Sequence, residues 1–160
     1  MTLSIRPAAP DDLPLIAALI RELAEYEKLA HEVRFEPAVL ASHLFGARPM
    51  AEVAIGEVDG VAQGFALFFH NFSTFEGKPG IYLEDLFVRP EARGAGLGKA
   101  LLAHLAALAV QRGCARLEWS VLDWNEPAIG FYGKLGARPL DDWTVMRVDG
   151  LALTALSLQK

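Results

Sequence analysis

The chain has 160 residues, of which 52% are apolar and 22% are charged, an ordinary composition for a globular protein. It predicts a single domain over residues 1–160 with a sizeable core. The formal net charge of −5 argues against a nucleic-acid partner held by general electrostatics and favours basic small molecules. No stretch approaches the roughly 20 apolar residues of a membrane span, and the start lacks a basic segment followed by an apolar run, so we expect a cytoplasmic protein without a membrane partner.

Cysteine and histidine positions exclude two further kinds of site. The single cysteine, Cys114, cannot form an internal disulfide or a cysteine-rich zinc site, and its place between Gly113 and a strand-like run is typical of a buried structural thiol. The histidines lack the spacing of metal ligands, so we expect no metal: they are His31, His43, His70 and His104.

The first third of the chain predicts one strand and two helices. Leu3 to Arg6 is a short strand. Asp11 or Asp12 then caps a helix that extends to about Lys28. Its apolar residues recur at helical spacing: Ile16, Leu19, Ile20 and Leu23. Pro37 to Phe45 predicts a second helix.

Two β-rich runs follow, Val53 to Val58 and Val61 to His70. Asp59-Gly60 joins them, and this dipeptide is the strongest short-range signal of a hairpin. An aromatic, glycine-bearing loop then extends from Asn71 to Gly80. Such a loop beside a site can form a lid or an acceptor wall, whereas exposed aromatic residues more often cover a core edge or an oligomer face. The sequence leaves these roles open.

The run from Ile81 to Val88 predicts the central strand of a sheet. Glu84 and Asp85 interrupt its otherwise apolar sequence, and buried carboxylates are costly unless they are paired or hydrogen-bonded. Successive residues of a regular strand face opposite sides, so only one of the two carboxylates can face a given cleft.

A glycine-rich turn connects this strand to the next helix, reading Arg-Gly-Ala-Gly-Leu-Gly from Arg93 to Gly98. Glycine permits backbone conformations and close approaches that side chains forbid. The first N–H groups of the helix lack intrahelical partners, and with the positive end of the helix dipole they form a site for a phosphate or pyrophosphate. The spacing of the glycines fits neither a P-loop nor a dinucleotide-binding fingerprint.

The rest of the chain predicts a strand, a helix and a hairpin after the helix that follows the turn. The strand extends from Arg116 to Leu122, and Asn125 caps a helix that ends at Gly136. Thr144 to Val148 and Leu151 to Leu158 flank a second Asp-Gly dipeptide and predict a second hairpin. The order β-α-α-β-β-β-α-β-α-β-β gives an α/β (α+β) fold with a mixed sheet and helices on both faces.

Three segments resemble the GNAT N-acetyltransferase family. Arg93-x-x-Gly96-x-Gly98 is similar to the pattern by which that family holds the pyrophosphate of acetyl-CoA. The flanking segments, Tyr82 to Val88 and Trp124 to Tyr132, resemble its diamine (spermidine/spermine) or thialysine branch. The resemblance implies a mixed central sheet of about seven strands, splayed between strands four and five, with helices on both faces. It also implies a homodimer, and the aromatic residues from Phe72 to Phe75 support that expectation separately, since the family's loop differs here.

The resemblance assigns residues to the two substrates. Those implied to contact acetyl-CoA, the cosubstrate, are Leu86, Phe87, Val88, Arg93, Gly94, Ala95, Gly96, Leu97, Gly98, Lys99, Asn125 and Lys134. Those implied to bind the amine, partly through negative charge, are Tyr26, Glu27, Glu84, Glu118 and Asp142. Gly133 stands where similar family members carry a basic residue directly after a tyrosine, which leaves the contacts to the adenosine end open.

Acetyl transfer to an amine needs a base and an acid. An alkylammonium has a pKa of about 10.4, so a carboxylate must accept its proton; we assign this role to Glu84, whose alternative role is a structural partner for a basic group. Tyr132 has a phenol suited to protonating the departing thiolate, although a Phe-Tyr pair more often packs in a core when no resemblance is considered. A backbone N–H near Leu86, freed by a strand bulge, would face the developing oxyanion, as the resemblance implies.

Three functions are compatible with these residues. The first is acetyl-CoA-dependent transfer of an acetyl group to a primary amine of a small polyamine or a lysine-like substrate. The second keeps the fold and uses another amine, such as an aminoglycoside or a protein N-terminus. The third is a coenzyme A binding module without turnover, which the presence of both Glu84 and Tyr132 weakens.

Overall fold

The computed structural model describes the whole chain, Met1 to Lys160, and divides it into two compact units. The first unit comprises Met1–Ser120 and the second Val121–Lys160. The single domain expected over residues 1–160 stays a prediction.

The first unit contains one mixed sheet and three helices. Its elements are β1 (Leu3–Pro7), α1 (Leu13–Tyr26), α2 (Pro37–Phe45), β2 (Glu52–Val58), β3 (Val61–Ser73), β4 (Lys78–Val88), α3 (Leu97–Gln111) and β5 (Leu117–Trp119). The strand order is β1-β2-β3-β4-β5, and only the β4–β5 pair is parallel. The predicted mixed α/β sheet is confirmed, but it has five strands rather than about seven.

The β2–β3 connection confirms the first predicted hairpin. Val58 pairs with Val61 across a two-residue turn. Asp59 and Gly60 both have positive φ, 50° and 79°, because this turn follows the twist of the flanking strands only in that conformation.

The β3–β4 hairpin is longer than the sequence predicts. β3 continues to Ser73 and β4 begins at Lys78, so only residues 74–77 remain of the expected loop. Phe72 and Phe75 lie at this end of the hairpin and are 64% and 102% exposed. Their rings therefore do not cover a core edge of this chain.

Helices cover both faces of the sheet, as predicted. A core cluster forms between the sheet and the helices α1 and α2, and its buried members are Ile16, Leu19, Leu23, Leu44, Val53, Ile55, Phe65 and Phe87. On β2, Gly56 faces the other side from its neighbour Ile55 and lies against Leu97 of α3. A Cβ at Gly56 would be only 2.9 Å from Leu97 Cδ1, so α3 packs directly on the strand backbone there.

The sheet opens between β4 and β5. β5 pairs with β4 only from Ile81 to Leu83, whereas β3 pairs with β4 through Val88. Residues 84–88 of β4 therefore have no strand partner on the β5 side. This is the position at which the resemblance implied a splay.

The second unit contains two helices, α4 (Glu126–Lys134) and α5 (Gly150–Ser157), and no strand. The predicted hairpin of Thr144–Val148 with Leu151–Leu158 is therefore wrong. Asp149 is extended, with φ of −142°, and is the N-cap of α5, whereas the hairpin turn needs a positive φ there. An isolated two-stranded hairpin is marginally stable, and the Leu and Ala residues of the second run favour a helix. None of the chain's helices is both long enough and apolar enough to cross a membrane.

Candidate active site

The turn from Arg93 to Gly98 joins β4 to α3, as the sequence predicts. Gly94 and Gly96 have φ of 87° and 88°, in the left-handed region that glycine favours. Gly96 is the N-cap of α3, which has neither a side-chain cap nor an acidic residue in its first turn. The N–H of Ala100 donates to the Gly96 carbonyl at 2.9 Å, and the N–H groups before it lack helical acceptors. This end of α3 is therefore electropositive and fits an anion.

The turn is open enough for a large anion. A Cβ at Gly94 would meet no atom within 4 Å, and one at Gly98 would meet only Val88 Cγ2 at 3.9 Å. Lys99 is exposed in the first turn of α3. The site therefore combines backbone N–H groups with a nearby cation, and a pyrophosphate has the matching charge.

Arg93 connects this turn to the C-terminal end of α1. Its Nε donates to the Val88 carbonyl at 3.0 Å. Its Cζ lies 4.8 Å from the ring centroid of Tyr26 and 5.7 Å from that of Phe87, both within the range of cation–π contacts. A residue predicted to hold the donor thus contacts a residue predicted to border the acceptor.

A β-bulge lies at Glu84. Phe68 of β3 pairs with Leu83 and Leu67 pairs with Asp85, so Glu84 is an extra residue without a partner in β3. The regular alternation that the sequence analysis assumed fails at this residue. The bulge that the resemblance implied in this strand is therefore present.

The two carboxylates at the bulge have different environments. Glu84 is exposed, whereas Asp85 is half-buried. Burial, together with the negative charges of Glu84 and Glu27, raises the pKa of Asp85 to about 7. Glu27 is the C-cap residue of α1, and burial raises its pKa as well. The sequence analysis gave Asp85 no role in the site, since nothing in the sequence signals its burial beside the end of α1.

Glu118 already has two partners in the first unit. Its Oε1 lies 3.1 Å from Arg116 Nε and accepts a hydrogen bond from Asn71 Nδ2 at 3.2 Å. Its charge is therefore balanced within the sheet. Its role in amine binding stays a prediction.

The second unit carries the remaining predicted site residues. The Asn125 side chain caps α4 as predicted, and Asn125 is buried. Tyr132 is half-buried, and its ring centroid lies 5.5 Å from that of Phe131. Lys134 and Asp142 are exposed. The roles of these residues stay predictions.

Family membership follows from a match over most of the chain, which includes β4, the turn and α3. A sequence profile described as the Acetyltransferase (GNAT) family matches residues 16–137. The chain belongs to the GNAT family. The predicted GNAT membership is confirmed, and this GNAT protein is an N-acetyltransferase, as its relatives are.

Three known proteins illustrate the similarity. The GNAT chain is 40% identical to a thialysine N-epsilon-acetyltransferase of Bos taurus over 96% of each protein. It is 34% identical to the L-ornithine N5-acetyltransferase NATA1 of Arabidopsis thaliana, over 95% of this chain and 86% of that protein. Among solved structures, the integron cassette protein VCH_CASS6 of V. cholerae is 28% identical, covers 99% of both chains and gives a TM-score of 0.81.

Proposed function

We propose that this enzyme is acetyl-CoA-dependent and transfers the acetyl group to a primary amine of a small cation, either lysine-like or a polyamine. The observation that carries the proposal is the uncapped, glycine-bearing N-terminus of α3, which fits a pyrophosphate. Glu27, Glu84 and Asp85 gather negative charge where α1 ends beside β4, which favours a cationic acceptor. Relatives named for thialysine and ornithine support the same substrate class.

Residues of β4 and of the turn would hold the donor. The backbone of Leu86, Phe87 and Val88 has no strand partner on the β5 side and would face the pantetheine arm, although the Val88 carbonyl already accepts from Arg93 Nε. The segment Arg93–Lys99 would hold the pyrophosphate through its N–H groups and its cations. Asn125 and Lys134 complete the proposed set by family resemblance.

The chemistry requires proton removal from the ammonium before the amine can attack. When bound, acetyl-CoA supplies a thioester-activated acetyl group. A carboxylate at the bulge, Glu84 in the sequence-based assignment, accepts the proton. The amine nitrogen then bonds to the carbonyl carbon as the carbon–sulfur bond breaks. The N–H near Leu86 donates to the carbonyl oxygen, and Tyr132 gives its phenolic proton to the departing thiolate. The nitrogen loses its second proton as it becomes an amide, and the Tyr132 phenolate takes that proton back.

We also propose that the enzyme is a homodimer. Phe72 and Phe75 are exposed at the end of the β3–β4 hairpin, and aromatic residues are enriched in protein interfaces. Sedimentation should give a dimer at micromolar concentration, and a monomer would contradict this assignment.

The test of the function is an acceptor panel read by release of the coenzyme A thiol. Thialysine, lysine, spermidine and putrescine should be acetylated with higher kcat/KM than a neutral amine. Glu27→Gln should raise KM for the cations, because it removes a negative charge beside Asp85. Glu25→Gln, an exposed glutamate near the same end of α1, is the matched control and should leave KM unchanged. Absence of thiol release with every amine, or preference for the neutral amine, would contradict the proposal.

A further inference from the structure

The bulge places Asp85 on the face of β4 that α1 covers. Because Glu84 is the extra residue, Asp85 lies on the same face as Phe87, while Leu83 lies on the other face. α1 ends on this face, and Glu27 is its C-cap residue. Asp85 thus lies beside the end of α1 and beyond the last pair between β4 and β5.

The charged groups that act on Asp85 are negative. Glu84 on its own strand and Glu27 at the end of α1 are the two carboxylates that act on it. β3 presents an apolar side chain, Leu67, opposite it. Neither a hydrogen bond nor a cation contributes to its ionisation, and Arg93, on the same side of the sheet, is stacked on two aromatic rings. A half-buried carboxylate in such surroundings attracts a proton or an ammonium ion more strongly than an ordinary one.

We infer that Asp85, half-buried beside the end of α1, is the base that removes the proton from the acceptor ammonium. This inference rests on the proposed function and assigns to Asp85 the step that the sequence assigns to Glu84. One N–H bond of the ammonium breaks and one O–H bond forms on the Asp85 carboxylate. The nitrogen keeps the electron pair with which it attacks the thioester carbon. Glu84 then contributes charge for amine binding, and Asp85 returns its proton to water.

Burial distinguishes the two carboxylates. Burial and the two neighbouring charges raise the pKa of Asp85 to about 7. An ordinary carboxyl titrates about three units lower, so transfer of a proton from an ammonium is roughly a thousandfold more favourable to Asp85 than to such a group. A base that titrates close to the working pH is also the most effective general base. Glu84 is exposed and lacks the burial that acts on its neighbour.

The experiment is the pH dependence of kcat/KM with thialysine as acceptor, from about pH 5 to about pH 10. The parent enzyme should gain activity through one inflection near pH 7 and then reach a plateau. Asp85→Asn should lower kcat by about a hundredfold to ten-thousandfold, and its remaining activity should keep rising with the free-amine fraction towards about pH 10.

Variants of the neighbours test the same assignment without removing the base. Glu84→Gln and Glu27→Gln should each remain active and move the inflection to lower pH, since each removes a negative charge that acts on Asp85. Glu25→Gln should leave the inflection in place. If Asp85 had only a structural role, the inflection would not shift in Glu84→Gln and Glu27→Gln while staying in place in Glu25→Gln.

The outcomes separate the inference from the proposed function. An Asp85→Asn enzyme that keeps the parent rate and inflection would overturn the inference, as would loss of the inflection in Glu84→Gln. If Asp85→Asn does not fold, an inflection that Glu84→Gln and Glu27→Gln leave unmoved would overturn it instead. If the parent releases no thiol with any amine of the panel, the proposed function itself fails, and the inference fails with it.

Discussion

Arg89 and Glu22 form a two-point ion pair between the residue after β4 and the middle of α1. Arg89 Nε donates to Glu22 Oε1 and Nη2 donates to Oε2, each at 3.0 Å. The side chains are 25% and 35% exposed, so water screens the pair only in part. The pair therefore joins the helix that carries Tyr26 to the strand that leads into the glycine turn.

Glu22→Gln should lower stability and raise KM for the amine. A two-point guanidinium–carboxylate pair of this exposure contributes about 1 kcal/mol, and its loss should also raise KM for the amine by releasing the end of α1. Urea unfolding and steady-state kinetics measure the two effects. Glu52→Gln is the matched control, because Glu52 makes a similar two-point pair with Arg112 away from the turn. Equal effects of the two variants on KM would contradict the proposal that the Arg89–Glu22 pair positions the end of α1.

Gly96→Ala should abolish most coenzyme binding. The residue has φ of 88°, so any side chain is strained there, and a methyl group would shift the N–H groups of α3 that face the anion. Gly113→Ala is the matched control, since Gly113 follows α3 with φ of 71°; a Cβ there would meet no atom within 4 Å, and one at Gly96 would meet only Leu3 Cδ1 at 3.8 Å. Both variants should lose about 1 kcal/mol of stability, but only Gly96→Ala should lose affinity in calorimetry with acetyl-CoA. Equal affinities would place the donor elsewhere.

Asp85→Asn should stabilise the fold at high pH. The folded pKa of about 7 lies above the ordinary value of 3.8, so the folded chain holds an extra proton between these values. The contribution of Asp85 to stability is therefore fully present below about pH 4 and is lost as pH rises through about 7. Ionised Asp85 costs up to roughly 4 kcal/mol at pH 8, which the asparagine removes.

Thermal unfolding of Asp85→Asn and the parent at two pH values shows how the stability difference between them changes with pH. The Tm of Asp85→Asn should exceed that of the parent at about pH 8 and match it at about pH 4. Asp141→Asn, which changes an exposed aspartate, should show no such difference. A Tm advantage that is the same at both pH values would show that Asp85 titrates normally.

Tyr132→Phe should lower kcat by about a hundredfold to ten-thousandfold and leave coenzyme affinity unchanged. The lost phenol acts only as the thiolate departs, so the effect belongs to the transition state. Tyr82→Phe is the control, because the Tyr82 hydroxyl lies 2.8 Å from Ser120 Oγ and has no proposed chemical role. Parent-like turnover of Tyr132→Phe would make this tyrosine a packing residue.

Features set by neighbouring residues were predicted from the sequence. The turn at Asp59-Gly60, the start of α2 at Pro37 and the start of α3 within the glycine-rich turn each depend on backbone preferences within a few positions. Family resemblance then pointed to this turn, and to the strand before it, as the proposed donor site. In these parts of the proposed site, the residues that determine the local backbone are also those of the family pattern.

The second Asp-Gly dipeptide shows why the same signal fails elsewhere. Asp is also a favoured N-cap, so Asp149-Gly150 fits a helix start as well as a turn. A hairpin signal decides the structure only where the flanking strands have a sheet to extend, as β2 and β3 do. The second unit has no strand, so local helix preference decides instead.

Contacts between distant segments could not be predicted. Arg89 and Glu22 are 67 positions apart, and nothing in either segment specifies the other. Asp85 depends on a bulge, on burial under α1 and on a charge at the end of that helix. Sequence reasoning identified the adjacent carboxylates and, taking their alternation as regular, expected only one to face the cleft; the family resemblance then selected Glu84.

If α3 holds the donor as proposed, Gly56 extends the determinants of donor affinity into the sheet. A Cβ there would press on Leu97, which is 99% shielded from solvent and follows the N-cap of α3 directly. Substitution would displace the helix end rather than unfold the strand, since β2 keeps its pairing on both sides. In a saturation-mutagenesis screen for coenzyme affinity, substitutions of Gly56 should therefore lower affinity as those of the turn glycines do, although Gly56 is outside the proposed ligand site. Homologues that differ in donor affinity would be worth comparing at this strand position as well as at the turn.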